Sequence, residues 1–177
     1  SVRASSGDCA RRCGNGRRMS SLQLPASWDR AGLEEVGFAG FVTFSELNTA
    51  SVPRSPGIYL VLRTASTPPH LLEVTRARAG AAYPLEDLSA RWVEGTPVVY
   101  IGKAEAKAGG LRKRLGQFAR KGASHQGGRS IWQLADQDEL LVCWATTPDE
   151  SAEAVEIHYR AVFAERYGRW PFANRKR

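Results

Sequence analysis

Three short runs rich in β-branched, aliphatic and aromatic residues decide what this chain can fold into. GIYLVLR (57–63) follows Pro53 and Pro56, PVVYIGK (97–103) comes next, and ELLVCWATT (139–147) is stopped by Pro148. Each reads as a strand. The stretches between them read as helices. Gly109–Gly110 precedes LRKRLGQFARK (111–121), RSIWQLA (129–135) predicts a second short helix, and 149–167 predicts the longest one. That last segment places Asp149, Glu150 and Glu153 in its first turns, where acids suit the helix dipole, and Gly168 stops it. The order predicts an α/β (α+β) fold: a small, mostly antiparallel sheet of three or four strands flanked by helices.

A length of 177 residues supports one domain with room for a tail. With 42% hydrophobic and 24% charged residues, wholesale disorder is excluded. No apolar run is long enough to span a bilayer, and no leader with a cleavage site is visible. Three cysteines, Cys9, Cys13 and Cys143, do not make a disulfide framework and suit a reducing, cytoplasmic compartment. Cys9 and Cys13 lack the further ligands of a metal site. Residues 1–19 hold few large apolar side chains and read as a disordered extension. Met19 opens MSSLQLP like a natural start, which would make 1–18 an upstream extension. Residues 20–52 read as a segment packing on the core, with Phe38, Phe41 and Phe44 on a loop or extended stretch. Core packing is the favoured role for these rings over base stacking. Residues 53–177 form the main domain, interrupted at about 64–96 by an insertion-like stretch with a possible strand at 70–75 and a possible helix at 85–90.

Charge is segregated. The net charge is +7, yet residues 103–129 alone carry eight bases against one acid, and residues 160–177 carry six against one. Such clustering is the footprint of a polyanion-binding face, or of a solvated helix face with a basic tail. Arg112, Lys113, Arg120, Lys121, Arg129 and Arg175 are the candidate nucleic-acid contacts. His125, in SHQGGR, reads as a surface-loop residue.

Helical geometry singles out two charged residues. On 111–121, Leu111, Leu115 and Phe118 fall within about 60° of one another, with Arg114 on the border of that stripe. An Arg there can serve a phosphate or pair with an acid. On 149–167, Glu156 lies on the edge of the apolar face formed by Val155, Tyr159, Val162 and Phe163, whereas Glu153 and Glu165 point to solvent. A carboxylate there needs a partner, either a cation such as Mg²⁺ or a basic side chain. Tyr59 and Tyr100 sit mid-strand, where a core role with a satisfied hydroxyl is usual. Gly102 inside a strand marks close approach by another group. No hydrolase triad and no phosphate-binding glycine loop is present.

Gly57-Ile58-Tyr59 and Tyr100-Ile101-Gly102, on two strands followed by the helix LRKRL, resemble the GIY-YIG nuclease family across roughly 53–177. The resemblance implies a DNA endonuclease dependent on Mg²⁺ or Mn²⁺. It implies that Tyr59 orients or deprotonates the attacking water, with Lys103 after the second tripeptide lowering that phenol's pKa. Tyr100 would hydrogen-bond the scissile phosphate or the water. Leu111-Arg112-Lys113-Arg114 matches the family's L-x-x-R pattern, so Arg114 would stabilise the transition state. Glu156 would hold the single cation, and Asn174, after Pro171, would order backbone near the site. The chain departs from the pattern at Phe118, where many members carry His or Tyr, and in the length of the segment between the two tyrosines. A non-catalytic nucleic-acid-binding module on the same scaffold, and a scaffold that binds another protein, are the other readings of the residues. Oligomeric state is not legible.

Overall fold

The computed structural model describes residues 21–122 and 127–175. The expectations for residues 1–19, for Cys9 and Cys13 and for His125 fall outside them. Among the described residues the architecture is a four-stranded, wholly antiparallel sheet with four α-helices. In chain order the elements are α1 (Arg30–Glu35), β1 (Ala39–Thr43), β2 (Gly57–Leu62), α2 (Leu85–Arg91), β3 (Val98–Ala104), α3 (Gly110–Ala119), β4 (Leu141–Thr146) and α4 (Ala152–Tyr167). The sheet order is β1-β4-β2-β3, which bears out the fold class read from the sequence.

Strand β2 is central and buried at all six positions, so both faces of the sheet are covered. Alternation along the strands sorts the apolar residues into two layers. Tyr59, Val61 and Tyr100 face a cluster with Leu111, Leu115, Phe118, Trp132 and Trp144, which is the α3 side. Ile58, Leu60, Leu62 and Ile101 face Leu33, Val155, Tyr159 and Phe163, which is the α1 and α4 side. The helices therefore lie on opposite faces.

Several sequence expectations are refined. Residues 39–43, expected as loop or extended chain, supply β1, with a bulge between Gly40 and Val42. Phe38, Phe41 and Phe44 are all buried in the core, as expected. The anticipated strand at 70–75 is reduced to one bridge, Leu71 to Leu134. Its neighbour in space, Arg129–Gln133, is a 3-10 helix and offers no regular ladder, so Leu72 and Arg76 donate to the carbonyls of Gln133 and Trp132 individually. Helix α2 forms where a short helix was expected. Helix α4 starts at Ala152 because Ser151 caps it, its hydroxyl accepting from Ala154 N at 3.0 Å, and Asp149 and Glu150 therefore precede the helix. Gly168 closes it in the left-handed conformation. The insertion is tied to the body by Gln133, whose buried amide accepts from Tyr83 N and donates to the carbonyls of Leu72 and Tyr83.

Candidate active site

The two tripeptides lie side by side. Strands β2 and β3 pair antiparallel with Tyr59 opposite Gly102 and Val61 opposite Tyr100, which puts both tyrosines on the α3 face as diagonal neighbours. Their rings are 6.0 Å apart, and Phe118 packs 5.9 Å from Tyr59 and 5.6 Å from Tyr100. The missing side chain at Gly102 makes this possible. A Cβ there would stand 2.5 Å from Cζ and 2.6 Å from the hydroxyl of Tyr59. Tyr59 is fully buried, and Tyr100 is 5% exposed.

Arg114 reaches this pair from α3. It is half-buried, on the border of the apolar stripe formed by Leu111, Leu115 and Phe118. Its guanidinium hydrogen-bonds the Tyr59 hydroxyl, and the Tyr59 and Tyr100 hydroxyls share a further hydrogen bond. Burial raises the Tyr59 phenol well above its usual 10.0; the Tyr100 phenol adds to this and Arg114 opposes it. Tyr100 is raised to about 12, first by burial and then by the charge of Glu156, with Arg114 opposing. Both phenols are therefore held protonated. Tyr59 is arranged as a donor and positioning group, and a phenolate base at Tyr59 is disfavoured by its surroundings.

Lys103 departs from its expected role. On β3 it follows Gly102, so alternation turns it to the opposite face from Tyr59. Its ammonium pairs with Glu153 of α4 and lies 3.8 Å from Glu105. The group acting on the Tyr59 phenol is Arg114.

Glu156 is 8% exposed on α4, with its carboxylate accepting from Arg160 Nη1 at 3.2 Å. Burial raises its pKa, and Arg160 is the largest opposing influence. Sequence reasoning left a cation and a basic partner open for this acid, and Arg160 is that partner. Arg160 itself went unread, although its i, i+4 spacing from Glu156 was a usable signal. Glu156, Arg160, Lys103 and Tyr100 line one cleft of about 290 Å³ at the β3 edge. A hydrated Mg²⁺ or Mn²⁺ is compatible with this donor set, since such ions keep several waters and need one or two carboxylates. Among the described residues no group of three or more His, Cys, Asp or Glu gathers; Glu156 shares the cleft with Glu153, which is paired with Lys103.

Asn174 orders backbone, as anticipated. Its side chain accepts from Ile101 N at 3.0 Å and donates to Ile101 O at 2.8 Å, while Ala173 N donates to Val99 O. It thus seals the outer edge of β3 beside Tyr100 and contacts the cleft through its lining position.

The expected nucleic-acid contacts divide in two. Arg112 and Lys113 on α3, and Arg120 at its C-cap, are exposed. The other three are committed internally. Lys121 donates to Gln137 and lies over Trp132. Arg129 donates to Ala81 O beside Tyr83. Arg175 stacks 3.4 Å from the Tyr83 ring centre and binds Ser130 and Asp87. Arg129 and Arg175 hold the 64–96 insertion against the body, a use that charge counting does not distinguish from ligand binding.

No family model, curated protein or solved structure matches the chain. No helix among the described residues is long and apolar enough to cross a membrane.

Proposed function

We propose that the protein is a metal-dependent endonuclease that hydrolyses phosphodiester bonds in DNA through a GIY-YIG-type site. The observation that supports this reading most is the continuous run from Arg114 through Tyr59 to Tyr100, ending at a cleft whose other wall carries Glu156. A pair of tyrosines in a sheet core needs no guanidinium on one side and no buried carboxylate on the other. In the proposed reaction water adds to phosphorus, the ester P–O bond breaks, the leaving oxygen takes a proton from solvent, and the attacking water gives one up to solvent. Tyr100, held protonated, donates to a phosphate oxygen or to the water. Tyr59 fixes Tyr100 and is itself fixed by Arg114. Arg114 supplies positive charge toward the phosphorane-like transition state. Glu156 would hold the Mg²⁺ or Mn²⁺ ion, which when bound supplies Lewis-acid stabilisation of charge on oxygen.

The test is cleavage of supercoiled, linear, branched and single-stranded DNA in Mg²⁺ against EDTA. Arg114→Ala and Glu156→Ala are each expected to lower the rate by at least about 100-fold, the scale for losing a preorganised charge-stabilising group, with unchanged circular dichroism. Full activity of Glu156→Ala would refute the metal assignment. Phe118 and the Glu156–Arg160 pair favour a second reading, a nucleic-acid-binding module without catalysis. Binding without metal-dependent nicking would select it.

A further inference from the structure

The candidate cleft is continued on the other side of Asn174. There a second, open groove of about 500 Å³ is lined by Arg91, Arg169, Trp170 and Asn174, with no carboxylate in its wall. Arg169 is exposed, and Nη1 donates to Ala90 O at 2.5 Å, which fixes the side chain across the gap to α2. Arg91 is half-buried and leans on Asp87 at 3.4 Å. Trp170 is half-buried, and the Arg160 guanidinium lies 4.0 Å from its ring centre. The same guanidinium donates to Glu156. A layer of carboxylate, guanidinium and indole therefore runs from the cleft into the groove.

We infer that this groove takes an unpaired nucleotide of the DNA strand that passes the cleft, its base against Trp170 and its flanking phosphates on Arg91 and Arg169. The inference rests on the nuclease reading of the neighbouring cleft. Charge selects the occupant: Arg169 and Arg91, the latter offset in part by Asp87 behind it, face the groove with no carboxylate in its wall, which suits a polyanion, and an indole beside them suits a base, which stacks irrespective of sequence. A paired base keeps its faces inside the duplex, so the groove favours single-stranded, flapped or branched DNA over a blunt duplex.

The test is fluorescence anisotropy of the full chain in EDTA with a labelled single-stranded oligonucleotide and with the blunt duplex of the same sequence. The single strand is expected to bind more tightly than the duplex. Trp170→Ala is expected to weaken the single strand by about 5- to 150-fold, the range for one base–aromatic stack, and to leave the duplex nearly unchanged. Trp170→Phe keeps a ring against Arg160 and should retain most of the affinity. Arg91→Gln with Arg169→Gln should reduce the salt slope of single-strand binding by about one to two. Wild-type affinity in Trp170→Ala, or an equal loss on both DNAs in a folded Trp170→Phe protein, overturns the assignment. Plasmid nicking in Mg²⁺ separates the two ideas. Nicking by the wild type with no effect of Trp170→Ala on binding removes the groove alone. A strand-selective loss without any nicking removes the nuclease reading alone.

Discussion

At the scale of single residues, Gly102 explains how two tyrosines occupy one site. Its neighbour across the ladder, Tyr59, fills the space a side chain would need, and Tyr59 is too deeply buried to yield. Gly102→Ala is expected to cost about 1–3 kcal/mol, the usual range for overpacking, measured by urea unfolding. The tyrosines make a second prediction. Burial raises the phenols of Tyr59 and Tyr159 well above 10.0. In the unfolded chain they ionise near 10, so above that pH the unfolded state releases protons that the folded state keeps. Their contribution to stability is complete below about pH 10 and is lost as pH rises through the folded values. The unfolding midpoint should be insensitive to these groups below pH 10 and fall above it. Phenolate absorbance of the folded protein should lag behind that of the denatured chain. A midpoint that rises above pH 10 would contradict this. Gly102 and Glu156 were legible because a strand glycine and an acid on an apolar helix face each break a local rule. Arg160 broke none, since an arginine beside a glutamate on a helix is ordinary.

At the scale of elements, the edge of β3 is the decisive piece. Edge strands present unpaired N–H and C=O groups, and here the Asn174 side chain satisfies both groups of Ile101. Asn174→Ala is expected to destabilise the fold by about 1–3 kcal/mol, the cost of leaving buried backbone polar groups unsatisfied. Faster amide exchange at Ile101 would locate the effect, and unchanged exchange there would exclude it. The main strands and α3 and α4 were legible from periodicity, because their apolar residues are contiguous or fall on one stripe. Strand β1 was not, because Gly40 and the bulged Phe41, with φ of 57°, break its alternation. Lys103 was misplaced for a related reason: its position after the motif suggests proximity to Tyr59, whereas strand alternation sends it to the other face.

For the whole molecule, the basic residues fall into two sets that the sequence presents as one. Arg112, Lys113 and the C-cap residue Arg120 are exposed along α3 and its end. Replacing all three with Gln should lower the salt slope of DNA binding by up to about three, with stability little changed. Arg175 behaves oppositely, since it ties the C-terminal segment to α2 through Asp87 and to Tyr83. Arg175→Ala should lower the thermal midpoint, and a variant that lost salt-dependent binding with an unchanged midpoint would reverse this assignment. The net charge of the chain therefore overstates what a polyanion meets.

The sealing of β3 by Asn174 also bears on how the molecule is made. Tyr59, Tyr100 and Arg114 leave the ribosome long before Asn174, and Glu156 follows them. A nascent chain therefore holds the tyrosines and the arginine while the cleft wall and the strand edge are both still missing. On the nuclease reading, the site cannot be complete until the segment that carries Asn174 has been made and has docked on the β3 edge.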